Sequence, residues 1–351
     1  MIGISLLTLV PGELGGSETY VRELLRALGR VGAHDYRVLL PPAAPDAAEG
    51  LPAEVAPYRL ARTPRERLAA MASAAARPKP LRAPLREAAV VHYPLTIRIP
   101  SGLSPSVVTL HDTQHLDLPE LFPRAERLFR KTVWHPSIRG ADLVIVLSEF
   151  VRHRAAKQLG LDPDRVRVVP SGLDHDELHP GGAEREPFLL YPARSWPHKN
   201  HARLFEAFEL LRGERPDLRL VLTGGGGFDT LPAGVEDRGL VPRAELVSLL
   251  QRASALVFPS LYEGFGLPPL EAMACGCPVV CSNAAALPEV TGGAARLFDP
   301  HDPEEIAAAV SDVLDDPSGW VARGLERARA FSWDETARGT DAVYAELSTR
   351  S

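Results

Sequence analysis

Glu263 and Glu271 have seven residues between them, among which are Gly264, Gly266, Pro268 and Pro269. The apolar run 255–258 that precedes them reads as a buried strand, and the two prolines suit the first turn of a helix. A strand therefore ends, glycines turn the backbone, and a helix N-terminus opens toward the gap. Its unpaired N–H groups and the positive end of its dipole suit an anion. Two carboxylates beside such a site would repel a phosphate unless they face something else. A polyhydroxylated sugar fits, because hydroxyls donate hydrogen bonds and ionised carboxylates only accept them.

Cations stand on a second loop of the same kind. Arg194 and Lys199 follow the apolar run 188–193 and lead to a helix for which Asn200 is the expected N-cap. This loop lies at the carboxyl end of a strand, where a phosphate would be met. His111, followed by Asp112, ends the apolar run 107–110 and occupies the same kind of position, although a histidine there is often a hydrogen-bonded structural residue. Gly15 and Gly16 make a glycine-rich strand-to-helix loop, and Gly224 to Gly227 permit close backbone approach to a ligand. Both sets of glycines also suit ordinary turns. Cys275, Cys277 and Cys281 are too few for a closed tetrahedral zinc site and read as core thiols.

The elements that must position these residues alternate. Strands are expected at 2–7, 36–40, 89–92, 107–110, 142–147 and 165–169, with helices from Ser17, over 64–76, 124–139 and 149–159. Prolines and glycines crowd 170–187, the natural domain boundary. Beyond it, strands at 188–193, 218–223, 235–241, 255–258 and 278–281 alternate with helices after Asn200, over 242–253 and after Pro268. Capping boxes at Asp302 and Ser332 start two further helices, the second running from Trp333 to about residue 347. Alternating strands and helices make an α/β chain with parallel, doubly wound sheets.

A length of 351 residues fits two domains of this kind. The net charge of −6 is unevenly placed: residues 1–178 carry 23 Lys and Arg against 20 Asp and Glu, and the rest carry 16 against 25. The two halves are therefore expected to have different partners. Most of the basic excess lies in Arg59, Arg62, Arg65, Arg67, Arg77, Lys79, Arg82 and Arg86, opposed only by Glu66 and Glu87 over that stretch. The region reads either as a solvated surface or as a peripheral contact with an anionic membrane or phosphorylated acceptor. No nucleic acid is expected among the partners. Three cysteines and the lack of a secretory h-region point to the cytoplasm, at most peripheral at the inner membrane face, and no run is long enough to span a bilayer.

The motifs in their order resemble the retaining glycosyltransferases of family 4. They are Gly15-Gly16-Ser17-Glu18, His111-Asp112, Pro170-Ser171-Gly172-Leu173-Asp174, Arg194 with Lys199, Gly224 to Gly226, and Glu263 through Glu271 followed by Ala272-Met273-Ala274-Cys275-Gly276-Cys277-Pro278. Ser171 stands where relatives commonly carry Asn. The resemblance implies the GT-B fold, two facing Rossmann-like domains with an interdomain cleft: 1–178 plus 333–351, the last helix crossing back, and 186–332. It implies a nucleoside diphosphate sugar as co-substrate with no other cofactor. Arg194 and Lys199, with amides of Gly16, Gly266 and Leu267, would hold the diphosphate. Glu271 would accept the ribose hydroxyls, Glu263 the sugar hydroxyls near the anomeric carbon, and the backbone near Val241 would meet the base. Gly15, Gly224 and Phe265 would complete the donor site, and His111 would reach the sugar and acceptor from the first domain. Cations and amides would do the work of a divalent metal, so none is needed.

The segment after His111 is similar to that of bacterial mannosyl and rhamnosyl transferases, which makes GDP-mannose the first donor to expect and a glycan, lipid-linked or small-molecule compound the acceptor. Three rival readings stand beside this one. A glycosyl phosphorylase or nucleotide-sugar epimerase would use the same fold, and a non-catalytic nucleotide-sugar-binding protein would keep the site without turnover. A dinucleotide-dependent oxidoreductase would want Gly-x-Gly-x-x-Gly at the first helix, which is absent.

Overall fold

The computed structural model describes residues 1–13, 15–57, 78–182 and 184–349. These fall into two compact units, Met1–Gly172 with Trp333–Ser351, and Leu173–Ser332. The first is built on a parallel sheet of β1 (Ile2–Ser5), β2 (Tyr36–Leu40), β3 (Ala53–Val55), β4 (Val90–Tyr93), β5 (Ser106–Leu110), β6 (Leu143–Val146) and β7 (Val166–Val168), in the order 3-2-1-4-5-6-7. Every residue of β1, β4, β5 and β6 is buried, as expected of central strands covered on both faces.

The second sheet comprises β8 (Glu186–Pro192), β9 (Arg219–Thr223), β10 (Val235–Asp237), β11 (Ala253–Phe258), β12 (Val279–Ser282) and β13 (Arg296–Phe298), in the order 10-9-8-11-12-13. Its strands pair in parallel, for example Leu256 with Leu190 and Val257 with Val280. Both units therefore have the doubly wound order of a Rossmann-like domain. Connectivity reverses between β1 and β4 in one and between β8 and β11 in the other, and ligands bind such sheets outside the strand ends at that reversal.

The helix Trp333–Ser348 belongs to the first unit. Asp341 accepts from the Ala33 amide at 2.5 Å and the Tyr36 hydroxyl at 2.6 Å, while Tyr344 and His92 Nδ1 lie 2.7 Å apart. Arg167 pairs with Glu346 at 2.6 Å, and Arg30 with Asp334 at 2.7 Å.

Several local expectations need correction. The units divide after Gly172, so residues 173–178 pack with the second unit, where His175 Nε2 meets the Phe331 carbonyl at 2.8 Å and Glu177 bonds Arg243. The strand expected over 235–241 stops at Asp237, because Gly239 takes a left-handed turn at φ 64°. The helical stretch expected over 124–139 widens into a π-turn at Arg130–Trp134, ahead of Pro136, which has no N–H to give. β3, β13 and the helix Ser318–Ala328 were not anticipated.

The expected helix over 64–76 and most of the basic run lie outside the described residues. Of those that remain, Arg82 donates to the Ser101 carbonyl at 2.7 Å. No helix among the described residues is long and apolar enough to cross a membrane.

Candidate functional site

In the second unit, the loops after β8 and β11 flank the reversal point and are stitched together by backbone and side chains. The Leu261 amide donates to the His198 carbonyl at 2.8 Å, and the Tyr191 hydroxyl to the Lys199 carbonyl at 2.5 Å. Asn200 takes the expected N-cap position, where its carbonyl accepts from the Leu204 amide at 3.3 Å, but its side chain makes no capping bond. It sits in the left-handed region at φ 61°, and its side-chain amide instead donates to the carbonyls of Pro259 (3.1 Å) and Pro300 (2.7 Å), tying three strand ends together. Asn tolerates that backbone region better than most residues, which frees its side chain for the tie.

Across this stitched pair, Lys199 Nζ meets Glu263 Oε1 at 2.5 Å, with the two side chains only 13% and 15% exposed. Lys199 Nζ also lies 5.3 Å from the centre of the Phe258 ring. Arg194, on the same loop, stands 5.4 Å over the ring of the exposed Trp196. The loop after β9 closes in from the other side. A side chain at Gly224 (φ 114°) would fall within 3.0 Å of the Ala193 and Arg194 backbone, so glycine is what lets the two loops touch. The Gly224 amide donates to the Gly239 carbonyl at 2.8 Å, placing that loop beside the segment that carries the half-buried Val241.

The third wall is the glycine turn and helix Leu267–Ala274. Gly266 precedes the helix at φ 108°, and a Cβ there would lie 2.7 Å from Leu287 Cδ2. Pro268 and Pro269 occupy the first turn, as expected of residues with no N–H to leave unpaired. Phe265 is buried edge-on against Phe331, ring centres 5.8 Å apart. Glu271, one helical turn in, is buried and accepts from Arg243 Nη1 at 2.7 Å. Arg243 in turn donates through Nε to Glu177 at 2.8 Å. Burial alone would lower the Arg243 pKa, but the charge of Glu271 and the bonds to both carboxylates outweigh it and raise it.

The second unit therefore gathers Lys199, Gly224, Glu263, Phe265, Gly266, Leu267 and Glu271 at the carboxyl ends of its strands, with Arg194 and Val241 on the flanking loops. Arg243 and Glu177 went unremarked in the sequence, where an arginine after a proline looks like any surface cation. Cys275, Cys277 and Cys281 are buried free thiols, each pushed up to about 12 by burial. Among the described residues there is no group of three or more His, Cys, Asp or Glu able to hold a metal ion.

Gly15, Gly16 and His111 lie in the first unit. Gly15 (φ 54°) precedes the helix Gly16–Val31, and a Cβ at Gly16 would meet nothing within 4 Å, so the backbone there is open to close approach. His111, just past β5, has Nε2 2.8 Å from the Pro94 carbonyl at the end of β4. That carbonyl can only accept, so Nε2 carries the proton and Nδ1 keeps its lone pair. Tyr20, from the helix Gly16–Val31, packs edge-on to the His111 ring at 5.1 Å. Burial lowers the His111 pKa, against the raising effects of the Pro94 bond and Asp112, which favours the neutral ring.

Residues 14–177 match the family model described as Glycosyltransferase Family 4, and residues 176–332 match Glycosyl transferases group 1. The chain is 34% identical over 276 residues to the O-antigen chain mannosyltransferase B of Escherichia coli, covering 71% of this chain and 72% of that one. Two further relatives named as mannosyltransferases are spanned over only 50% and 28% of their own length. Among solved structures, sucrose-phosphate synthase from Thermosynechococcus elongatus superposes with a TM-score of 0.79 at 22% identity, over 100% of this chain and 99% of that one. Anabaena HepE in complex with UDP and glucose gives 0.73 at 17% identity, over 98% and 99%.

Proposed function

The chain belongs to the glycosyltransferases of group 1 and family 4, with the Rossmann-like domains of the GT-B fold, and from that premise we propose that it moves a hexose from a nucleoside diphosphate sugar to a glycan, lipid-linked or small-molecule acceptor, retaining the anomeric configuration without a metal ion. The observation that carries this reading is the Lys199–Glu263 pair, held at 2.5 Å over the reversal point of the second sheet. An ammonium has three donors and a carboxylate about four acceptor sites, so each partner can hold the other and still bind substrate.

In this reading Arg194 and Lys199, with amides of Gly16, Gly266 and Leu267, bind the diphosphate and stabilise the negative charge that grows on it as the glycosidic bond breaks. Glu263 accepts hydroxyls of the transferred sugar. It is not a covalent nucleophile: the acceptor oxygen bonds to the anomeric carbon on the face that the phosphate leaves, and the departing phosphate oxygen takes the acceptor proton. His111 contributes a neutral ring whose Nδ1 accepts a hydroxyl of sugar or acceptor. Glu271 takes the ribose hydroxyls, the backbone near Val241 meets the base, and Gly15, Gly224 and Phe265 complete the donor site. The cations and amides supply the charge a divalent ion would bring.

GDP-mannose is the donor we infer first, supported by the segment after His111 and by the mannosyltransferase names of the relatives. A thermal-shift screen over nucleoside diphosphates, followed by turnover with the matching sugar nucleotide in EDTA, tests both donor and metal independence. Stabilisation by UDP but not GDP would discard mannose, and turnover abolished by EDTA and restored by a divalent ion would discard metal independence. Turnover that needs only phosphate and a disaccharide, or that interconverts the nucleotide sugar itself, would reassign the chain to a phosphorylase or epimerase. Product anomer by NMR reports retention. A cytoplasmic protein docking to an anionic inner-membrane face through residues 59–86 should sediment with anionic vesicles at low salt and be released at high salt; no binding at low salt would end that proposal.

A further inference from the structure

Glu271 is a nearly buried carboxylate whose orientation is set from outside its own helix. Its side chain is 11% exposed, while Arg243, which bonds Oε1 at 2.7 Å, is 40% exposed and stands at the rim. Arg243 is not free to leave. Its Nε is held at 2.8 Å by Glu177, and the Glu177 backbone is fixed in turn by Asp174, whose Oδ1 accepts from the amides of Asp176 (3.0 Å) and Glu177 (3.3 Å). The guanidinium is a planar fork, so fixing Nε fixes the direction of Nη1 as well. Arg243 also lies two residues after Val241, beside the segment read above as meeting the base.

We propose that Arg243 is a positioning residue for ribose recognition: held by Glu177, it fixes the plane of the Glu271 carboxylate so that the remaining acceptor sites present themselves to a vicinal diol. This rests on the reading of Glu271 as the ribose ligand. A glutamate side chain has three rotatable bonds, and two hydroxyls on adjacent carbons can be bonded together only if the carboxylate holds one orientation. One bond from Nη1 to Oε1 removes that freedom at one acceptor site out of about four. It also neutralises a carboxylate that lies close to where the diphosphate would sit, and which would otherwise repel it.

The test is calorimetric binding of GDP and 2′-deoxy-GDP, and of UDP and 2′-deoxy-UDP, to the whole chain and its Glu271→Gln, Arg243→Met, Arg243→Lys and Glu177→Gln variants. The wild-type chain should prefer the ribonucleotide by about tenfold, the worth of a hydrogen bond to a charged group. Glu271→Gln should abolish that preference. Arg243→Met should lose most of it, weakening the ribonucleotide by about tenfold while moving the deoxynucleotide less than about threefold. Glu177→Gln keeps an acceptor for Nε and should keep the preference; Arg243→Lys, with the charge but no fork, should keep only part.

If Arg243→Met retains the preference, weakens both nucleotides equally, or tightens binding as removal of a blocking group would, the proposal is overturned while the reading of Glu271 stands. If Glu271→Gln retains the preference, or the wild type has none, the ribose reading itself fails and takes this inference with it. Should Arg243→Met not fold, the lysine variant carries the same comparison: full wild-type discrimination by lysine overturns a role for the fork.

Discussion

Lys199 and Glu263 are each other's counter-charge, and substitutions at the two should have separable effects. Lys199→Ala should lower kcat by about 10²- to 10³-fold in initial-rate assays at saturating donor, the usual cost of removing one preorganised charge donor. Unchanged turnover would remove Lys199 from the chemistry. Glu263→Gln keeps the shape but loses acceptor capacity and charge. It should depress kcat/KM by about 10- to 100-fold while the Kd of the nucleoside diphosphate, which lacks the sugar, moves by less than about threefold. An equal loss in nucleotide affinity would place Glu263 on the phosphates. The His111 tautomer follows from a bond that no sequence motif states: the Pro94 carbonyl, 17 residues upstream, decides which ring nitrogen is left to work.

At the scale of elements, Gly224 is where two loops meet backbone to backbone. Gly224→Ala would force a Cβ against the Ala193–Arg194 backbone at a φ that L-residues rarely adopt, pushing the Arg194 loop outward. The variant should lose about 1–3 kcal/mol of stability, read from urea unfolding, and bind nucleotide more weakly. A wild-type Cm and nucleotide Kd would show that the loop gives way without cost. The central strands were legible because their residues are apolar and bounded by turn residues. β3 and β13 were not: each is three residues long at a sheet edge, and every residue of β3 is exposed, so it carries no hydrophobic pattern to read. The side-chain role of Asn200, though not its place before the helix, misled for a different reason. Its residue type fits a helix cap equally well, and only the folded chain brings the Pro259 and Pro300 carbonyls within reach. Arg243 was invisible because its partners, Glu177 and Glu271, are distant in sequence and nothing in an arginine's neighbours announces a pairing.

At the scale of the molecule, neutral histidines are built into both units. Burial lowers His92 to about 3, and His115 and His201 to about 4. The unfolded chain takes up protons below its ordinary value near 6.5 while the folded one does not, so stability is full above about pH 6.5 and falls as pH drops toward 4. Each such imidazole withdraws up to about 1.4 kcal/mol per pH unit within that window. Thermal unfolding at pH 7.5, 6.5 and 5.5 should show a level Tm followed by a decline, and a level Tm throughout would contradict the neutral assignment. The helix Trp333–Ser348 gives a second handle: Asp341→Ala leaves the Ala33 amide and the Tyr36 hydroxyl proton without their acceptor and should cost about 2–4 kcal/mol in urea unfolding. A loss under about 0.5 kcal/mol would show that water replaces the carboxylate. That helix also sets an order of events on the ribosome. Residues of the first unit emerge before Leu173, yet its closing helix emerges only after Ser332, so the unit begun first is completed last. The second unit is one uninterrupted segment and can acquire its fold while the first still waits for a partner, leaving the amide of Ala33 and the hydroxyl of Tyr36 to water until the helix Trp333–Ser348 has been made.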